Sequence, residues 1–100
     1  MQEETIPLKG SRATGYVVPI GPVNLVWVIA RKGLVGCGAF DVKALEKFGY
    51  PAARARAVRS PSVKTLDDLL SGEISEANAG AEGLGVVVGM TGKEALDLLS

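Results

Sequence analysis

The chain has 100 residues, eleven basic and eleven acidic side chains, and no histidine. Its hydrophobic content of 47% excludes a disordered chain, and its zero formal net charge argues against nucleic acid, which calls for a basic excess. With no histidine and only one cysteine, a metal site within one chain would have to be built from carboxylates, and the most usual general base is missing.

The length fits one domain over residues 1–100. A short chain has much surface for its volume. So much apolar content on that surface predicts a homo-oligomer. The longest apolar run, Val23 to Ala30, is far too short to cross a bilayer. The start, Met1-Gln2-Glu3-Glu4-Thr5, is acidic and lacks signal-peptide character. The expectation is a cytoplasmic protein with no membrane partner. Cys37 is the single cysteine, so no intrachain disulfide forms. No motif calls for a cofactor.

In chain order, Thr5 to Leu8 reads as a short strand that Pro7 restricts to an edge or an end. Lys9 to Ser11 is a turn. Thr14 to Ile20 is β-rich and closes at Pro19 and Gly21-Pro22. Val23 to Ala30 is the clearest strand. Leu25, Trp27 and Ile29 line one face, and Val26, Val28 and Ala30 line the other, so both sides are expected to be covered. Arg31-Lys32-Gly33 forms a hairpin loop, and Leu34 to Phe40 is the next strand, with small residues at Gly36 to Ala39 that mark a bulge or a close approach.

Asp41 caps a helix whose buried side carries Ala44, Leu45 and Phe48 and which ends at Gly49. Pro51 to Arg59 is ambiguous by propensity. The alternation Ala53/Arg54/Ala55/Arg56/Ala57 decides for a strand with one small-residue face and one basic face. Thr65 with Asp68 starts a helix carrying Leu66, Leu69 and Leu70, which Gly72 stops. Ser75 to Glu82, rich in Ala and Glu, reads as a short helix, and Val86 to Val88 as a strand. Thr91 and Glu94 then have the spacing of a capping box and open the final helix.

These pieces resemble the YunC-like family, a small domain of unknown function in archaea and bacteria. The likeness rests on the apolar strand ending in Lys32-Gly33, and on Gly36-Cys37-Gly38 with Asp41 and Ala44-Leu45 after it. It rests further on Val63-Lys64-Thr65-Leu66-Asp67-Asp68-Leu69-Leu70 and, most specifically, on Gly89-Met90-Thr91-Gly92-Lys93-Glu94-Ala95-Leu96. The resemblance implies a compact α+β domain, a mixed and mainly antiparallel sheet with short helices packed against it. It brings no established activity.

Three places carry candidate chemistry. The turn Gly89 to Lys93 is not a phosphate-binding Walker loop, because only Met90 and Thr91 separate Gly89 from Gly92 and Glu94 replaces the Ser/Thr. Thr91, Gly92 and Lys93 could still hold an anion on helix amides; the plainer reading is a tight turn with a helix cap. Cys37, between small residues, is either a reactive thiol or a small buried hydrophobe, and the sequence holds no histidine to activate it. Arg54, Arg56, Arg59 and Lys64, with Ser60, Ser62 and Thr65 nearby, could bind a phosphate or a carboxylate. The alternative is a solvated basic face paired with carboxylates.

Three functional readings follow. The leading one is a homo-oligomeric interaction or regulatory domain without catalytic machinery. The second is a binding module for a small anionic metabolite. The third is an enzyme whose site forms between subunits, with Cys37 or Lys93 as the reactive group.

Overall fold

A computed structural model describes residues 1–100. Ten elements follow one another: β1 (Gln2–Pro7), β2 (Arg12–Ile20), β3 (Val23–Ile29), β4 (Leu34–Gly36), α1 (Val42–Glu46), β5 (Ala52–Arg56), α2 (Leu66–Leu70), β6 (Glu73–Ala77), α3 (Ala79–Gly83) and α4 (Gly92–Leu99). The six strands form one sheet in sequence order. Every pairing is antiparallel except β4 with β5, which are parallel and joined by the crossover that contains α1. Pro7 ends the edge strand β1, where its missing N–H breaks no interior ladder.

One face of the sheet carries the main core. Val26 and Val28 of β3, Val35 of β4, Ala53 and Ala55 of β5 and Ile74 of β6 meet Leu66 and Leu69 of α2 and Leu96 and Leu99 of α4. Leu69, Ile74, Leu96 and Leu99 are fully buried. Each side chain of that size contributes about 1.5–3 kcal/mol by leaving water. A second, smaller cluster of Leu34, Val42 and Ala52 lies on the opposite face beneath α1. The expected α+β architecture is therefore present.

Both capping boxes form. The Thr65 hydroxyl accepts from Asp68 N and the Asp68 carboxylate accepts from Thr65 N; Thr91 and Glu94 make the same reciprocal pair. The strand at Ala52–Arg56 is also as expected. Ala53 and Ala55 are small enough to sit beneath α4, and a register shift at Arg54/Ala55 kinks the ladder to β6.

Five expectations are corrected. The strand beginning at Leu34 stops at Gly36 and does not run to Phe40. β3 is covered on one side only: Val26 and Val28 are buried, while Ile29 is 40% exposed on the other side. Phe48 lies beyond the end of α1 and is 83% exposed. Ser75 to Ala77 belongs to a strand, not a helix, because pairing with β5 outweighs local propensity; the helix starts only after Asn78 caps it. Val86 to Val88 is not a strand. It lies between Gly85 and Gly89, whose φ values of +100° and +102° turn the chain at both ends, and only Val86 is buried.

Candidate anion-binding cleft

After β5 the chain crosses to α2 through a loop that three hydrogen bonds hold in place. Asn24 Nδ2 donates to Lys64 O (2.9 Å), Lys64 N donates to Asp68 Oδ2 (3.0 Å), and Ser60 Oγ donates to Ser62 O (2.8 Å). Two of these contacts use the main chain of Lys64, so its position is fixed while its amine stays outward.

The loop closes one side of a cleft of about 730 Å³. The turn between β2 and β3 supplies Pro22, Val23 and Asn24. The segment after β4 supplies Cys37, Gly38 and Ala39. β5 and the residue after it supply Ala55, Arg56 and Ala57; the loop gives Pro61 to Lys64; and β6 gives Ser75.

The fold thus unites two candidates that sequence had kept apart: Cys37, and Arg56 with Lys64. Cys37 is 6% exposed. Arg56 Nη2 lies 2.6 Å from Glu73 Oε1, which holds the guanidinium at the rim. Lys64 has no carboxylate within ion-pair distance. Arg54 stands outside the lining. Its Nε is 2.9 Å from Glu76 Oε1, and its Nη1 donates to Gly38 O (3.3 Å), bracing a segment that does line the cleft. Arg59 is exposed and unpaired, and Thr65 faces its own helix as a cap. Asn24 and Ser75 were not singled out from sequence. A hairpin turn and the β5–β6 register place them here, and neither leaves a local signal.

Three carboxylates on α2 and α4 sit below their ordinary range. For Asp68 the main cause is the Lys64 amide, opposed by desolvation and reinforced by the Thr65 N–H and by the Thr65 and Ser60 hydroxyls. For Glu94 it is the Thr91 amide and then the Thr91 hydroxyl. For Asp97 burial works against the charge, but hydrogen bonds from Lys93 Nζ and Lys9 N outweigh it.

The Gly89–Lys93 turn lies outside the cleft, and most of its donors are occupied. Gly89 N donates to Ile74 O, Gly92 N to Gly72 O, and Glu94 N to Thr91 Oγ1. Lys93 Nζ holds both oxygens of Asp97, at 3.0 and 2.9 Å. No three carboxylate or thiol groups converge anywhere in the chain. The cleft's donors are cationic and neutral, a set that suits an anion.

Fold and cleft together define a small α+β domain built on a six-stranded, mostly antiparallel sheet. The model of a family described as "Domain of unknown function (DUF1805)" matches residues 36–99. The chain is 36% identical over 95 residues to the uncharacterized protein YunC of Bacillus subtilis, covering 91% of this chain and 89% of that protein. It belongs to this family of unknown function. A crystal structure of a protein of unknown function, TA1206 from Thermoplasma acidophilum, matches with a TM-score of 0.87 at 28% identity, over 99% of this chain and 92% of that one. The family match takes in Cys37, Arg56, Ser62, Lys64 and Ser75 and begins after the β2–β3 turn. No helix is long and apolar enough to cross a membrane.

Proposed function

We propose that this domain binds a small anionic metabolite, a phosphate or carboxylate compound, in the cleft beside Arg56 and Lys64. One observation carries the reading: the cleft is lined by two cations and no carboxylate, in a chain whose charges cancel overall. In a concave site of small side chains, a cation without a counter-ion attracts an anion more strongly than on open surface. Asn24, through its second amide hydrogen, and Ser62 add neutral donors that can orient the bound group. The cleft volume, about 730 Å³, falls in the range of metabolite sites.

The test is a thermal-shift screen against inorganic phosphate, sugar phosphates, nucleotides and di- and tricarboxylates. A ligand at ten times its dissociation constant stabilises the fold by about 1.4 kcal/mol, a rise in Tm of about 5–10 °C for a domain of this size. Lys64→Ala leaves the unliganded melt nearly unchanged and removes most of the shift, because only its main chain holds the loop. Arg56→Ala weakens the same ligand. Cys37→Ser leaves binding intact. If no anion exceeds a chloride control, or the shift survives the double substitution of Arg56 and Lys64, the cleft is not the site.

A further inference from the structure

The cleft is not uniform from mouth to floor. Its buried members are Cys37, Ala55 and Val63, and none of the three carries a charge or a strong side-chain donor. The main chain there is used as well. Cys37 N donates to Val26 O (2.9 Å), Cys37 O accepts from Phe40 N (3.1 Å), and Ala55 lies in the ladder opposite Ile74. Ser75 gives its hydroxyl proton to Arg54 O (3.3 Å). The donors with capacity left sit on residues that reach solvent: the Lys64 amine, the Arg56 guanidinium, the Ser62 hydroxyl and the second amide hydrogen of Asn24. Val23, Ala57 and Pro61, which are more exposed than the floor, carry its apolar surface toward that mouth.

This division selects among anions. The hydroxyls of a sugar would lose water against the floor and find no partner there, which is costly. A hydrocarbon chain gains by leaving water. None of the five aromatic residues lines the cleft, so a nucleobase finds no ring to stack on. A charged head cannot go to the floor for the same reason as the sugar, and its counter-charges are at the mouth.

We infer that the anion this cleft takes is aliphatic: a carboxylate or phosphate head at Lys64 and Arg56, and a short hydrocarbon chain laid over Ala55 and Val63 toward Cys37. This rests on the anion-binding reading above and narrows it. The thiol, in this arrangement, is a soft apolar end wall for the chain.

Calorimetric titration of the intact protein with butanoate, hexanoate and octanoate tests this, with butyl and hexyl phosphate to separate the two heads. Affinity is expected to rise about fourfold for each methylene that leaves water. Octanamide, with the same chain and no charge, binds at least about tenfold more weakly than octanoate, and adenosine monophosphate binds no tighter than ribose 5-phosphate. Val63→Thr keeps the shape of the floor but makes it polar, and it weakens octanoate more than butanoate. Val23→Thr, at the exposed wall, does the same to a smaller degree without touching the core. Cys37 reports where the chain lies: octanoate slows its labelling by methyl methanethiosulfonate, and butanoate slows it less. If neither phosphate nor any of these acids binds, the anion-binding reading fails and this inference with it. If the anions bind through Lys64 but affinity is flat from butanoate to octanoate, the inference alone is overturned. It is also overturned if octanoate binding survives the double substitution of Arg56 and Lys64 to Ala, if octanoate leaves the labelling rate unchanged, or if Cys37 in the free protein does not react, which would mean that the floor is closed.

Discussion

The two faces of the sheet are made of different residues and do different work. Beneath α2 and α4 the contacts are aliphatic and closed. At Gly92 even a methyl group would strike the Leu69 carbonyl oxygen, because α4 starts against the end of α2. On the far side, only the β4–β5 half is covered, and the aromatics of the other half stay partly in water. Folding free energy is concentrated on the first face. On the second face it is limited to the half beneath α1, where Val42 and Ala52 are fully buried.

The largest effect that sharpens this contrast is Leu69→Ala. Leu69 is fully buried between the helices and the sheet, and its truncation is expected to cost about 2–5 kcal/mol. Chemical denaturation measures it; a loss no larger than that of a half-exposed residue would mean that the helices do not hold the core.

Next comes the side chain that ties the two faces together. Asn78 is fully buried, and all its hydrogen-bonding capacity is used. Its Oδ1 accepts from Ala52 N (3.0 Å) and Ala81 N (3.1 Å), while Nδ2 donates to Val42 O (3.0 Å) and Tyr50 O (2.9 Å). One residue therefore joins the start of β5, α1 with the loop after it, and α3. Asn78→Ala leaves buried main-chain groups unpaired and is expected to cost about 3 kcal/mol. Asn78→Asp keeps the shape but points an oxygen at two carbonyls, so it should destabilise as well, and less at a pH low enough to protonate the new carboxyl.

A smaller effect separates the capped helices from the rest. Thr91→Ala should cost about 1 kcal/mol by freeing the Glu94 amide. The carboxylates of Asp68, Glu94 and Asp97 all have lowered pKa values. Their ordinary values are 3.8 for Asp and 4.5 for Glu. The folded form therefore holds their protons less tightly than the unfolded one. The stability they contribute is present above those values and is lost as pH falls through and below them. Urea midpoints should decline on acidification below the ordinary carboxylate range; a flat profile there would contradict the caps.

The sequence made the capped helices readable because their signals are local: Thr65 with Asp68 and Thr91 with Glu94 each lie three residues apart. β5 was readable through its alternation. β6 was not, because Ser75-Glu76-Ala77 favours helix by itself and becomes a strand only through pairing with β5. Val86 to Val88 looked like a strand because apolar runs carry no sign of which residues meet the core. For the cleft, the cations Arg56 and Lys64 stood out as charge. Their meeting with Cys37, Asn24 and Ser75 depends on contacts across the chain that no spacing records.

The smallest expected effect tests the end of α1, where the second face passes from covered to open. By helical spacing Phe48 belongs with Ala44 and Leu45 on a buried side, and a buried Phe truncated to a small residue would cost about 3–5 kcal/mol. In the fold α1 ends at Glu46, Lys47 serves as its cap, and Gly49 at φ +70° turns the chain away. Phe48 is left 83% exposed while Val42, at the other end of the helix, provides the buried anchor. Phe48→Ser in dilute solution should therefore change stability by no more than about 0.5 kcal/mol. A loss of several kcal/mol would place the ring in a core, and the division between a closed face and an open one would not hold at α1.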